Sequence, residues 1–210
     1  MFTGLVETVG RVVDLIEQPP GKKLIIAAPL FRDADAGRDV SVGDSIAING
    51  CCLTVIEIEH DRLSFEAGEE TLSRTNLGEL VAESSAPDHS ATRVNLERSV
   101  AVGDRMGGHY VTGHVDTLGQ LIERVDDPPW ANLKFSIPKH YASQVASKGS
   151  IAIDGISLTV VDVGDDYFSV ALIPHTLEVT TLGQRCVGDS VNLETDLLAK
   201  YVQRALRPES

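Results

Sequence analysis

The stretch SIAINGCCLTV (residues 45–55) returns as SIAIDGISLTV (residues 150–160), identical at eight of eleven positions and 105 residues further along. At the centre of each copy stands a turn dipeptide, Asn49-Gly50 and Asp154-Gly155, flanked by apolar β-formers. Asn-Gly and Asp-Gly are the preferred two-residue type I′ hairpin turns, because both central positions need positive φ. Each copy is therefore predicted to be a β-hairpin. On the outgoing strand of the first, alternation puts Cys51, Leu53 and Val55 on one face and Cys52 and Thr54 on the other. In the second, Ile156, Leu158 and Val160 oppose Ser157 and Thr159. The apolar sets read as core, the small polar sets as facing outward.

Working outward, other segments recur in the same order. TGLVETVGRV (from Thr3) matches TGHVDTLGQL (from Thr112) at five of ten positions, and ETLSRTNLG (from Glu70) matches HTLEVTTLG (from His175) at five of nine. VNLE occurs at Val94 and again at Val191. The spacers change length only in polar stretches, FRDADAGRDVSVGD and VAESSAPDHSATR, as loops between fixed elements do. Two tandem modules follow, residues 1–97 and 98–198. Several short strands per module, with one short helix near Glu70 to Thr75 and its twin, suggest a small closed antiparallel barrel. Past Asp196, Leu198, Tyr201, Val202 and Ala205 fall at helical spacing, so residues 197–210 are expected to form an amphipathic helix and tail. A lone helix of that length is marginal in water, and its apolar stripe is expected to pack in an oligomer.

The 210 residues carry 18 Lys+Arg against 31 Asp+Glu, a net charge of −13 that argues against a nucleic-acid partner. No stretch approaches the roughly 18 apolar residues of a membrane span, and no basic segment precedes an apolar core at the N-terminus, so a cytoplasmic chain is expected. Three cysteines, two adjacent, make poor material for a disulfide framework. Walker, GxGxxG, HExxH and CxxC motifs are all lacking, so nucleotide and metal readings start low.

Two modules that repeat the same small polar residues suit a ligand bound twice. Cys52 pairs with Ser157, Thr54 with Thr159 and Thr71 with Thr176. Holding two copies of one molecule side by side would replace a bimolecular encounter by a preorganised one. Structural explanations stand beside this, since strand hydroxyls are also inherited with a fold.

The opening MFTGLVE, NGCCLTV, ETL with TNLG, the GGH and GH of residues 107–114, and IDGISLTV with IPHTLE together are very similar to the riboflavin synthases of the duplicated, lumazine-binding type. The resemblance covers essentially the whole chain. It implies an all-β fold of two similar six-stranded Greek-key barrels with a C-terminal helix, a homotrimer, and a site between barrels of neighbouring subunits. It implies dismutation of two 6,7-dimethyl-8-ribityllumazine molecules: one donates a four-carbon unit to the other, giving riboflavin and 5-amino-6-ribitylamino-uracil without cofactor or metal. The alternative is a non-catalytic lumazine- or flavin-binding protein of the same fold.

That chemistry needs deprotonation of an acidic ring methyl, addition of a nucleophile or water, and stabilisation of spread negative charge. Donor and acceptor play different roles, so the repeat's mismatches are the best candidates. His114 stands where the first module has Leu5, and a histidine is poised for proton transfer near neutral pH. Cys52 replaces Ser157, and a thiol is the better nucleophile or proton relay; Cys51 reads as core. Ser45, Thr54, Ser157 and Thr159 are candidate hydroxyl donors. Asp196 stands where the first module has Ser99; the resemblance puts a carboxylate near the site here, and Asp196 also reads as the N-cap of the last helix.

From the resemblance alone come further contacts: Phe2 packing at the site; Gly4, Leu5, Val6, Cys51, Leu53, Glu66, Glu70 and Thr71 from the first module. From the second come Gly113, Val115, Lys148, Leu158, Ile173, Pro174, His175, Thr176 and Leu177. Lys148 has Gly43 as its counterpart. His109 lies five positions before His114, opposite it on an unbroken strand, and reads as structural. His60, His89 and His140 read as surface residues, and Cys186 is assigned nothing. The connector VAESSAPDHSATR is longer than the family's turn at that place.

Overall fold

In the computed structural model, which describes residues 1–32, 39–82 and 92–206, each half of the chain closes into a six-stranded antiparallel barrel. The first is built from β1 (Thr8–Gln18), β2 (Gly21–Ala27), β3 (Ser45–Ile48), β4 (Cys51–Glu59), β5 (Arg62–Ala67) and β6 (Arg93–Arg98), in the order β1-β2-β5-β4-β3-β6. The second repeats it with β7 (Thr117–Asp127), β8 (Trp130–Ser136), β9 (Ser150–Ile153), β10 (Ile156–Val163), β11 (Tyr167–Leu172) and β12 (Ser190–Thr195). Short helices α1 (Glu69–Arg74) and α3 (Pro174–Val179) are 105 residues apart, as the repeat predicts. α2 (Lys139–Ala142) is a single turn, and α4 (Leu197–Leu206) follows the last strand. Most of the polar connector at residues 81–93, and with it His89, lies outside the described residues.

Alternation fills the barrels. Leu24, Ile26, Leu63 and Phe65 point into the first, and Leu133, Phe135, Phe168 and Val170 into the second, where the Phe135 and Phe168 rings stack 5.7 Å apart. Matching register shifts sharpen the bends: Val55/Glu57 in β4 has its twin at Val160/Asp162 in β10, and Val12/Asp14 in β1 has its twin at Leu121/Glu123 in β7. Such bulges bend a strand and help a small sheet close.

The two hairpins have the turns that their dipeptides predict. Asn49 and Gly50 hold φ of 44° and 77°, Asp154 and Gly155 φ of 46° and 77°. They are not at the surface. Asn49 and Asp154 are fully buried, because the two hairpin tips meet back to back between the barrels. A Cβ on Gly50 would lie 2.7 Å from Gly155 N, and one on Gly155 would lie 2.7 Å from Gly50 N.

Around these tips the buried polar groups are crossed. Asn95 Nδ2 donates to Asp154 O (2.9 Å), and its twin Asn192 Nδ2 donates to Asn49 O (2.8 Å). Asn76 N donates to Asn192 Oδ1, Thr181 N to Asn95 Oδ1. Burial of these amide groups is tolerable because each of the four finds a partner. One departure breaks the symmetry: Asp154 carries a charge where Asn49 is neutral, and Arg185 reaches it at 3.0 Å. Burial raises the Asp154 carboxyl, while Arg185 and the Asn192 N–H pull it down.

α4 starts as expected, with Asp196 Oδ1 accepting from Leu198 N at 2.9 Å. Lys200 pairs with Asp116, and Gln203 donates to Ser143 Oγ. Leu198, Tyr201, Val202 and Leu206 remain exposed. Among the described residues, no helix is long and apolar enough to cross a membrane.

Candidate active site

The first residues of the chain join the halves. Phe2 N donates to Val111 O (2.8 Å) and Val111 N to Phe2 O (3.2 Å), an isolated bridge between positions equivalent in the repeat. Phe2 is fully buried and packs with Ala47, Val111 and Ala152, with Cys52 against their edge. This pairing sets the two Thr-Gly turns, Thr3-Gly4 and Thr112-Gly113, each on the opposite barrel.

Gly113 lies over Cys52: Cys52 N donates to Gly113 O at 2.8 Å, and a Cβ on Gly113 would stand 2.5 Å from Cys52 Cβ. Gly4 lies over Ser157 in the same way, with Ser157 N donating to Gly4 O at 2.7 Å and a Cβ on Gly4 2.6 Å from Ser157 Cβ. Both glycines have positive φ, 80° and 78°, so only glycine meets both demands. Two clusters result, each joining the site strand of one barrel to the turn of the other.

The polar sets on β4 and β10 do not simply face outward. Thr54 and Thr159 are exposed as expected, but Cys52 and Ser157 are half-buried under the crossing turns. Alternation along one strand carries no information about a second barrel laid against it. Cys51 is buried, and desolvation pushes its thiol up to about 12, as suits a core residue. Ser45 pairs with Thr54 across the β3–β4 ladder. His114 is exposed, next to Gly113, its N–H donating to Thr112 Oγ1. Leu5, its counterpart, is also exposed, beside a cleft of about 450 Å³ lined by Thr3, Glu97, Arg98 and Arg105.

His109, read from the sequence as structural, is tied into the second cluster by its hydrogen bonds. Residues 106–114 form no continuous strand, so the opposite-face argument has nothing to act on. His109 N donates to Thr3 O, its Nδ1 lies 2.7 Å from Ser157 Oγ, and its buried Nε2 has no partner among the described residues. Burial lowers its pKa, against the opposing charge of Asp196. The neutral ring is thus favoured in the folded chain, where a hydroxyl stands beside it.

The sign gives a testable pH dependence. Between the depressed folded value and the ordinary one near 6.5, the unfolded chain binds more protons, so stability rises with pH across that window. The His109 contribution is present above the ordinary value and lost as pH falls through the folded one. Urea midpoints for His109→Gln are expected to fall less between pH 7.5 and 5 than those of the parent; parallel curves would contradict this.

Lys148 takes φ of 65° where its counterpart Gly43 has 97°. Two further Val-Gly-Asp turns place Gly103 and Gly188 at 97° and 105°. A lysine in the left-handed region, where related turns use glycine, is a costly choice that marks the position. Glu66 is exposed on β5, and Glu70 pairs with Arg74 on α1. Thr71 O accepts from Thr75 Oγ1 and Thr176 O from Thr180 Oγ1, so α1 and α3 close alike. Leu177 packs on the second core, Val115 on the first and Val6 on the second, while Ile173, Pro174 and His175 are exposed at the start of α3. These helix residues make their hydrogen bonds locally.

Comparison with known proteins bears on both halves. The model of the Lumazine binding domain matches residues 3–99 and 112–196. A riboflavin synthase from Mycobacterium bovis is 46% identical over 99% of this chain and 98% of its own length. One from Actinobacillus pleuropneumoniae is 42% identical over 98% and 90%. Among solved structures, LumP complexed with riboflavin superposes with a TM-score of 0.80 at 26% identity, covering 93% of this chain and 99% of that one. The chain belongs to the riboflavin synthase family, with one lumazine binding domain in each half.

Proposed function

We propose that the protein is a riboflavin synthase acting on two molecules of 6,7-dimethyl-8-ribityllumazine, with transfer of a four-carbon unit from one to the other. The observation that carries this reading is the pair of crossed clusters, alike in backbone and different in chemistry. Cys52 under Gly113, with His114 alongside, faces one way; Ser157 under Gly4, with His109 and Leu5, forms the other. Two like sites suit two like molecules, and unlike side chains suit a donor and an acceptor. The fixed pair of sites supplies proximity. His114 serves as proton-transfer group, and Cys52 as nucleophile or relay. Ser45, Thr54, Ser157 and Thr159 hold the ring or ribityl hydroxyls. Lys148 contacts ligand, and Asp196 combines helix capping with a carboxylate charge near His109.

Incubation of the purified chain with the lumazine is expected to produce flavin absorbance. Binding without flavin would instead support the carrier reading, which the curated relatives do not favour. Cys52→Ser and His114→Ala are each expected to lower kcat about a hundredfold, with smaller effects on ligand affinity, as for groups acting mainly in the transition state. Full kcat in His114→Ala would remove it as the proton-transfer group.

The assembly belongs to the same proposal: a homotrimer held by the exposed apolar stripe of α4, with each site completed by a neighbouring subunit. Four large apolar side chains exposed on ten residues support this. Deletion from Leu197 onward is expected to lower the sedimentation coefficient to that of a single chain; an unchanged value would overturn the role of α4. The three unpaired cysteines support a reducing, cytoplasmic setting.

A further inference from the structure

Both copies of VNLE end on a buried glutamate whose carboxylate is fully engaged. Glu97 Oε1 accepts from Thr3 N (2.7 Å) and Thr3 Oγ1 (2.8 Å), and Oε2 accepts from Gly4 N (3.0 Å). Glu194 repeats the arrangement on Thr112 N, Thr112 Oγ1 and Gly113 N at 2.7, 2.7 and 3.0 Å. Side-chain acceptors that hold three donors inside a protein are strong and geometrically strict. They are also costly to bury, and burial raises the Glu97 carboxyl while the Thr3 and Gly4 donors lower it. Each Thr hydroxyl passes the constraint on, accepting the N–H of Leu5 or of His114 at 3.3 Å.

What these glutamates hold is not their own barrel's site strand. Gly113, held by Glu194 of the second barrel, accepts from Cys52 of the first. Gly4, held by Glu97 of the first, accepts from Ser157 of the second. We propose that Glu194 and Glu97 are crossed positioning residues: Glu194 sets Cys52 and His114 through the Thr112-Gly113 turn, and Glu97 sets Ser157 and Leu5 through the Thr3-Gly4 turn. The two clamps are the same, and their cargoes differ. The consequence for catalysis rests on the riboflavin synthase reading; the wiring itself does not.

A general structural role would affect the halves alike, and a crossed one would not. The test uses the full chain with Cys186→Ser as parent, and iodoacetamide as the probe, with label sites assigned by peptide fragmentation. The Cys51 thiol, pushed up to about 12, stays protonated and slow, so the fast reaction reports Cys52. Glu194→Gln sets an amide N–H₂ against one of three donors, loosens the turn that covers Cys52, and is expected to speed its alkylation about tenfold. Glu97→Gln, equivalent in its three hydrogen-bond donors, is expected to leave that rate within about twofold.

Thermal midpoints should fall by similar amounts in both variants, so stability loss alone cannot imitate the split. If either glutamine variant fails to fold, Thr112→Val and Thr3→Val remove the hydroxyl, with its bond to the glutamate and its bond from the His114 or Leu5 N–H, and should show the same asymmetry. Equal rates of Cys52 alkylation in the two members of either pair would overturn the proposal. With lumazine as substrate, kcat is expected to fall at least about tenfold in Glu194→Gln, more than KM changes. Crossed alkylation in a parent that makes no flavin would uphold the wiring and remove the riboflavin synthase reading.

Discussion

Replacement of Gly155 by alanine is expected to destabilise the chain by about 3–5 kcal/mol, several times the cost of the same change at Gly43. Both positions have positive φ, 77° and 97°, and each pays about 1 kcal/mol for a side chain in that region. They differ in their surroundings. Around Gly43 none of the described residues lies within 4 Å of the added Cβ, whereas at Gly155 it meets Gly50 N at 2.7 Å and Gly50 Cα at 2.9 Å. Those atoms are backbone, anchored in the buried Asn and Asp network, and cannot swing aside as a side-chain tip would. Urea unfolding of the two alanine variants measures the difference. Equal losses would mean that the hairpin tips do not press on each other in solution.

Arg185→Met is expected to cost about 3–5 kcal/mol, because it leaves the fully buried Asp154 carboxylate without its cation. Asp154 would then be driven further toward the protonated form. A carboxyl with a raised folded pKa favours the folded chain at low pH and loses that contribution as pH rises through the folded value. The variant should therefore be closer to the parent at pH 5 than at pH 8. Adding Asp154→Asn, the residue type found at Asn49, should recover most of the loss, since the first half holds Leu80 at the counterpart of Arg185 and a neutral Asn49 at that of Asp154. Urea unfolding of the single and double variants at both pH values decides it: a single-variant loss under about 1 kcal/mol would show that solvent reaches Asp154.

The barrels were legible because duplication wrote the evidence twice. An Asn-Gly pair alone predicts one hairpin; Asn49-Gly50 and Asp154-Gly155 within matched strands predict two modules and their turn type. Period-2 alternation separated Cys51 from Cys52 and Ile156 from Ser157. It could not say that the opposite barrel would cover Cys52 and Ser157, because a strand's pattern records its own sheet and nothing beyond it. The burial of Asn49 and Asp154 was hidden for the same reason: polar turn residues read as solvent-facing until their partners, Asn95 and Asn192, are brought from elsewhere in the chain.

The placing of His109 opposite His114 assumed a regular strand, which residues 106–114 do not form. Glu97 and Glu194 did leave a signal: a carboxylate closing an apolar V-N-L run twice over is an expensive thing to keep without buried donors to meet it.

Duplication about a two-fold leaves some residues touching their own copies. Gly50 rests on Gly155, Phe2 pairs with Val111, and Ala47 and Ala152 share one cluster. A change at such a place must fit its twin, so the halves diverge there only in concert: the glycines and alanines are still identical, while a large Phe2 is matched by a smaller Val111. Leu5 and His114 follow turns that lie on different barrels, and there they have been free to part. The fold itself thus sorts which residues of an ancestral symmetric pair could specialise alone, and along the seam that binds the halves each change is answerable to its twin.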